Sequence, residues 1–425
     1  MRGLEESNED VILLVLEAIR ASTSKELFLK DLRSLSLTSH YIRGICLPVI
    51  FRVFRRTWDL SVRKCKDILP LTLCQHVTVF ELDVGATGDL LIDEPTDLSE
   101  QLASVFSKME RLRTFRLMNS AERGPWPALL KALFTLPTLT TFEIWDSPWR
   151  RPEERLSHVV LDLPRQYSRL QKFVYRVPFT DCFPRESESY GRRDRMQGSV
   201  ELANLLVLAS LICDSVELLD IPAELALPLA DFSYPKMREL VVRGHEPVQP
   251  TDWSMIFYNA PRLRNVQLET VSPEKSTLRS MSPCTPVSSI PHDDPVMRGV
   301  SNLETLSISN PFGKRSFFQV LPYANLTMLS LKAFPLPAIT GPRWSNINSR
   351  VLTSSEVLCL LNAVQIVSLS TFELSYCVDT ADHSLLSRIH YSFPSLTTLE
   401  MHRLRPLANN NSENDPLVRS KLSFS

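Results

Sequence analysis

Any chemistry in this chain would have to come from its histidines, its cysteines, or carboxylates set against bases. The eight histidines stand at 40, 76, 158, 245, 292, 383, 390 and 402. None forms an HExxH pair, the arrangement that sets two imidazoles one turn apart around a zinc ion. The eight cysteines, at 46, 65, 74, 182, 213, 284, 359 and 377, include no CxxC, the spacing at which two thiolates share a metal. Scattered in this way they read as free thiols in a reducing compartment. His292-Asp293-Asp294 has the right ligand types, yet it lies in a proline-rich stretch without a second cluster. Gly313-Lys314-Arg315-Ser316 resembles the end of a phosphate loop but lacks the upstream glycines. No G-x-S-x-G elbow is present. Cys377 and His383 are close in sequence, but a thiolate nucleophile needs pairing in space that spacing does not give. No catalytic residue, metal or cofactor is expected, and the chain reads as a non-enzyme.

Composition narrows the remaining classes. Lys and Arg number 47 against 48 Asp and Glu, so no global positive excess meets phosphates and no nucleic-acid partner is expected. No stretch approaches the roughly 18–20 apolar residues of a membrane helix. The N-terminal stretch carries acidic residues where a secretory signal has basic ones. A cytoplasmic or nuclear location, away from membranes, is the expectation. At 425 residues the chain is too long for one ordinary core unless that core is elongated and repetitive.

Repetition is what the chain shows beyond residue 70. An apolar residue, two others, an apolar residue, one other and an apolar residue recur in "HVTVFEL" (Val77, Phe80, Leu82), "RLRTFRL" (Leu112, Phe115, Leu117) and "TLTTFEI" (Leu139, Phe142, Ile144). The run continues through "RLQKFVY", "SVELLDI", "KMRELVV", "RLRNVQL", "NLETLSI" and "NLTMLSL" to "AVQIVSL" (Val364, Val367, Leu369) and "SLTTLEM" (Leu396, Leu399, Met401). Eleven copies indicate a leucine-rich-repeat solenoid, one short strand per repeat. Segments 98–109, 125–136 and 198–213 carry apolar residues three or four apart and read as return helices. Strand plus helix per repeat would curve the stack into an arc.

Strand periodicity then assigns faces. The recurring apolar residues point inward, and those between them line the concave surface. Among these, Arg116, Met118, Glu143, Trp145, Lys172 and Arg176 are the expected target-binding set, because Trp and Arg dominate protein-interface hot spots. Stretches near 178–198, 270–298 and 333–350, rich in charge, serine or proline, read as insertions, and 408–425 as a flexible tail.

The first fifty residues differ in style. Ser7 or Asn8 can cap a helix with Glu9 and Asp10 in its first turn, and Val11, Ile12, Val15, Leu16 and Ile19 form an apolar face that Leu13 and Leu14 extend almost all round. A second helical segment is expected from about Asp31, with Leu32 and Leu35. Ser39 can cap a third carrying Ile42, Ile45 and Cys46, before Pro48 forces a turn. Three short helices bury little alone, so they either dock a partner or seal the end of a larger fold.

Segment 4–54 resembles an F-box of the fungal type. The resemblance rests on Leu4, "EDVILLVLEAI", the Leu35-Ser36-Leu37-x-Ser39 run, Tyr41 followed by Arg43, and Leu47-Pro48 with Phe51; Glu5 stands where the family usually has proline. It implies an α/β chain: a three-helix F-box over 1–54, a linker or solenoid start over 55–74, and an irregular leucine-rich-repeat solenoid over 75–407. The implied partners are a Skp1-like adaptor, through it a cullin, and a target protein held by the repeats. The implied function is substrate recognition in a Skp1-cullin-F-box ubiquitin ligase. The adaptor face would draw on Leu4, Val11, Ile12, Val15, Leu32, Leu35 and Leu37. A repeat scaffold outside any ligase, with or without the adaptor, is the alternative.

Overall fold

The computed structural model describes residues 9–22, 24–58, 69–84, 96–119, 124–145, 156, 169–176, 190–223, 226, 231–245, 255–271, 299–309, 321–332, 351–362, 364, 366–404 and 418–423. Residue contacts divide the chain into two compact units, 1–170 with 189–207, and 171–188 with 208–425.

The first unit opens with three helices, α1 (Glu9–Ser22), α2 (Lys25–Ser36) and α3 (His40–Ile50). Ser24 caps α2 and Ser39 caps α3, their hydroxyls accepting from the Leu27 and Ile42 N–H groups at 3.4 and 3.2 Å. Ile12, Leu16, Phe28, Leu32, Ile42, Ile45 and Cys46 form the module's core, with Leu13, Ile19, Leu35, Val49 and Ile50 packed at its margin. Two local expectations change. The second helix starts before Asp31, because Ser24 supplies the cap. Pro48 lies inside α3 rather than ending it: only the last residues of the helix follow it, and the Phe51 N–H still closes onto the Leu47 carbonyl at 3.0 Å.

Strand β1 (Val53–Thr57), the short helix α4 (Leu71–Cys74), β2 (Val79–Asp83), α5 (Thr96–Phe106), β3 (Thr114–Met118), α6 (Pro127–Phe134) and β4 (Thr141–Trp145) follow. The four strands pair in parallel and in sequence order. Phe54, Phe80, Phe115 and Phe142 share one register row, with neighbouring ring centroids 5.5, 5.8 and 6.0 Å apart. Phe106 of α5 and Phe134 of α6 meet this row edge-on, which fixes the helices on the strands' apolar face. β1 straddles the expected boundary between the helical domain, 1–54, and the linker or solenoid start, 55–74. It keeps the phenylalanine, but Arg56 replaces the next inward apolar residue, so the repeat pattern is broken there.

The second unit continues the scheme with β5 (Lys172–Arg176), helix α7 (Tyr190–Ile212, whose residues to 207 group with the first unit), β6 (Leu218–Pro222), β7 (Glu239–His245), α8 (Met255–Asn259), β8 (Asn265–Val271), β9 (Thr305–Ile308), β10 (Met328–Leu331), β11 (Leu352–Thr353), α9 (Ser354–Asn362), β12 (Thr371–Cys377), α10 (Asp382–Ser392), β13 (Thr398–Leu404) and β14 (Val418–Ser423). The order from β5 to β10, then β12 and β13, is parallel throughout; β11 pairs with β12, and β14 joins β13 antiparallel. The architecture is therefore a three-helix segment followed by β-α repeats of solenoid type.

One backbone device recurs at the start of the strands. The carbonyl of the residue just before one strand accepts two N–H groups from the start of the next. Thr78 O takes Arg113 and Thr114, Arg113 O takes Thr140 and Thr141, and Gln171 O takes Glu217 and Leu218. The device runs on through Glu217, Arg238, Arg264, Glu304, Thr327 and Ser370. Hydroxyls of Thr140, Thr327, Ser370 and Thr397 reinforce it by donating to the same carbonyls. The repeat is thus a hydrogen-bonded unit as well as an apolar pattern.

Ten of the eleven sequence copies coincide with strands β2–β10 and β13. The tenth, "AVQIVSL", does not. Val367 is exposed, and the strand lies further on, where Leu369, Phe372 and Leu374 take the three inward positions. Residues 190–198, expected within an insertion, begin α7, and 418–423 of the expected flexible tail pair as β14. Beyond Thr270 and Val271, which end β8, the insertions at 270–298 and 333–350 lie outside the described residues.

Candidate functional site

On the open face of the first unit, register places Glu81, Arg116 and Glu143 side by side on β2, β3 and β4. Arg116 donates from Nη1 to Glu81 Oε1 at 2.6 Å and from Nε to Glu143 Oε2 at 2.8 Å. Trp145 Nε1 donates to the same Glu143 oxygen at 3.1 Å. Glu143 is buried, so these donors replace water around its charge. A second cluster joins it: Arg55 Nη2 and Asn119 Nδ2 donate to Asp83 at 2.7 and 3.0 Å. Burial alone would push the Asp83 carboxyl up, but the bonds from Arg55 and Asn119 outweigh it and hold the group below the usual carboxylate range. Burial likewise opposes the Arg116 charge, and the two glutamates overcome it, raising its pKa. Asn119 reaches Asp83 from a left-handed backbone position, φ 51°, which asparagine tolerates.

The expected target-binding residues of this unit are therefore brought together, with a different use for the arginine. Arg116 is engaged by two carboxylates and does not present a free fork to an anion. Met118 and Trp145 stand next to each other in register and are half-buried.

In the second unit Lys172 and Arg176 share β5. Arg176 donates from Nε and Nη2 to the buried Asp220 at 2.9 and 2.6 Å, Arg243 approaches the same carboxylate at 3.7 Å, and Arg243 Nε donates to Glu269 at 2.7 Å. Further along, Lys332 Nζ lies 3.0 Å from Glu373 and 3.2 Å from Glu400, and His402 Nε2 lies 2.9 Å from Glu400. Alternating charge across neighbouring strands ties the open face to itself. Sequence reading picked out these residue types but not their pairing, since register is set by loops of unequal length.

The helical module presents the opposite chemistry. Of the residues expected to meet an adaptor, Ile12 and Leu32 are core, Leu35 is half-buried at the core margin, and Leu4 lies outside the described residues. Val11, Val15 and Leu37 are exposed. Leu14, Leu27 and Tyr41, absent from the expected set, are exposed as well. Val11, Leu14 and Val15, at i, i+3 and i+4, leave 50, 64 and 47% of their surface in solvent on one side of α1. Leu29, Lys30, Arg33, Ser34 and Leu37 line an open groove along α2.

Among the described residues no group of three or more His, Cys, Asp or Glu is placed to hold a metal, and Cys46, Cys74, Cys213, Cys359 and Cys377 are not joined in disulfides. Burial, then the Glu356 charge, pushes the Cys377 thiol up, opposite to what an activated nucleophile needs. His292-Asp293-Asp294 and residues 313–316 lie outside the described residues. No described helix is long and apolar enough to cross a membrane.

No protein-family model matches the chain, and no curated protein matches it by sequence. Among solved structures it is similar to a chain of the crystal structure of a Rad7 and Elc1 complex in yeast, at 15% identity and a TM-score of 0.32, over 92% of this chain and 87% of that one. A TM-score of that size does not establish a shared fold.

Proposed function

We propose that the chain is a substrate-recognition subunit of a Skp1-cullin-F-box ubiquitin ligase. The helical module docks the adaptor, the leucine-rich repeats hold the target, and neither performs chemistry. The observation that carries this reading is the apolar stripe of Val11, Leu14 and Val15, exposed beside a core already closed by Ile12 and Leu16. A lid that only sealed the repeats would have turned its second apolar face inward, whereas a docking module keeps it outside. Leu37 and Tyr41 widen the apolar surface around α2 and α3. The chain's contribution is geometric, raising the target's effective concentration beside the transfer machinery.

The test is co-purification of tagged full-length chain beside a Leu14→Asp, Val15→Asp variant, with thermal unfolding of both. Wild type should bring down a Skp1-like adaptor and a cullin, and the variant should lose both at an unchanged unfolding midpoint. An adaptor without a cullin would favour a role outside the ligase. Neither partner with wild type would leave a repeat scaffold.

A further inference from the structure

Among the described strands, β1 ends the order and pairs with β2 alone. The Val79 N–H donates to Arg52 O at 2.9 Å and the Trp58 N–H to Asp83 O at 2.6 Å, so the even-numbered residues here turn their backbone groups toward β2. Parallel pairing alternates along a strand, which leaves the N–H and C=O groups of Val53, Arg55 and Thr57 pointing away from the sheet. No described group bonds them, and all three residues are exposed. A row of such groups is a template for another strand.

The side chains along that edge carry a sign. On the open face Arg55, Glu81, Arg116 and Glu143 share one register row of alternating charge, and the row stops at Arg55. Arg55 gives Nη2 to Asp83 but keeps 58% of its side chain in solvent, and its Nε and Nη1 donors have no described partner. On the apolar face the phenylalanine row stops at the half-buried Phe54, which has Phe80 on one side at 5.5 Å. Next to it inward, Arg56 has a buried Nε without a hydrogen-bond partner. The positions flanking Phe54, Arg55 and Arg56 are therefore suited to one apolar residue followed by two acidic ones.

We propose that the outer edge of β1 is a strand-binding site for an extended acidic segment of a partner protein, which sets an apolar residue beside Phe54 and adjacent acidic residues beside Arg55 and Arg56. Main-chain bonds to Val53, Arg55 and Thr57 supply affinity, and the alternate side chains supply specificity. A second copy of β1 does not fit, because pairing around residue 55 sets arginine against arginine. An inward-pointing charge guards an edge against indiscriminate pairing. A segment that brings a carboxylate to Arg56 removes that obstacle, and an apolar or basic one does not. This reading does not rest on adaptor docking.

The experiment measures fluorescence anisotropy of two labelled peptides with the full chain, Ser-Thr-Thr-Val-Glu-Asp-Val-Thr-Ser and the same peptide with Lys-Lys in place of Glu-Asp. The acidic peptide should bind at least tenfold more tightly. Binding of neither peptide, or equal binding of both, overturns the proposal. Thr57→Pro removes an outward N–H without touching the β2 ladder, and should weaken the acidic peptide at least tenfold at an unchanged unfolding midpoint. Unchanged binding by that variant also overturns the proposal. Should the proline lower the midpoint, Arg56→Gln decides instead: binding at least threefold weaker is expected, and no loss overturns the site.

Discussion

The helical module's outer face and the repeats' open face are built from opposite materials and stand in opposite states. The open face is charged, yet its charges answer one another. Arg116 is held by Glu81 and Glu143, Arg176 by Asp220, and Lys332 by Glu373 and Glu400. The outer face of α1 is apolar, and nothing in the described chain covers Val11, Leu14 or Val15. Charged side chains that look ready for a ligand are engaged, while leucines and valines that look like core are free. Surface availability is thus decided by neighbours in space rather than by residue type.

The comparison breaks most severely at Leu32, which shares the module's sequence pattern with Leu14 but is 1% exposed. Leu32→Asp would bury an unpaired carboxylate and remove a core side chain. A loss of more than about 4 kcal/mol is expected, enough to unfold the module. Leu14→Asp should change stability by no more than about 0.5 kcal/mol. Urea midpoints of the two variants would separate core from docking face, and equal losses would erase the distinction.

The open face gives an intermediate effect. Arg116→Met keeps the apolar stem but leaves Glu143 buried without its charged donor, at a cost of about 1–3 kcal/mol. If recognition used a free Arg116, the variant would instead lose target binding at unchanged stability. Denaturant unfolding alongside a target-capture assay tells the two apart.

Acid should produce the smallest effect. Asp83 has its folded pKa lowered, so its contribution is present above the unfolded value near 4 and is lost as pH falls through the folded value. Between pH 7 and pH 3 the wild-type urea midpoint should fall further than that of Asp83→Asn, which has no carboxylate to protonate. The exposed Arg55 partner keeps this difference small. An equal fall in both proteins would show that the Arg55–Asp83 pair adds nothing.

Much of the scaffold was legible because burial imposes period. Phe80 with Leu82, Phe115 with Leu117 and Phe142 with Ile144 recur since each strand must bury one face against helices. Where that rule was relaxed, reading failed. Arg56 at an inward position left linker and solenoid start undivided around β1, and the apolar run at 364–369 imitated a strand that begins at Thr371. Of the residues expected to meet an adaptor, Val11, Val15 and Leu37 face solvent, whereas Ile12 and Leu32 carry the same apolar pattern and are core.

The sequence by itself determined that strands and helices alternate, which residues of each strand turn inward, and that the first fifty residues form a separate helical style, because these follow from local period and capping. Only the tertiary structure decided which arginine meets which carboxylate, that α1 leaves a stripe uncovered, and that residues 418–423 close the sheet edge. Those depend on register between strands far apart in the chain, which local pattern does not encode.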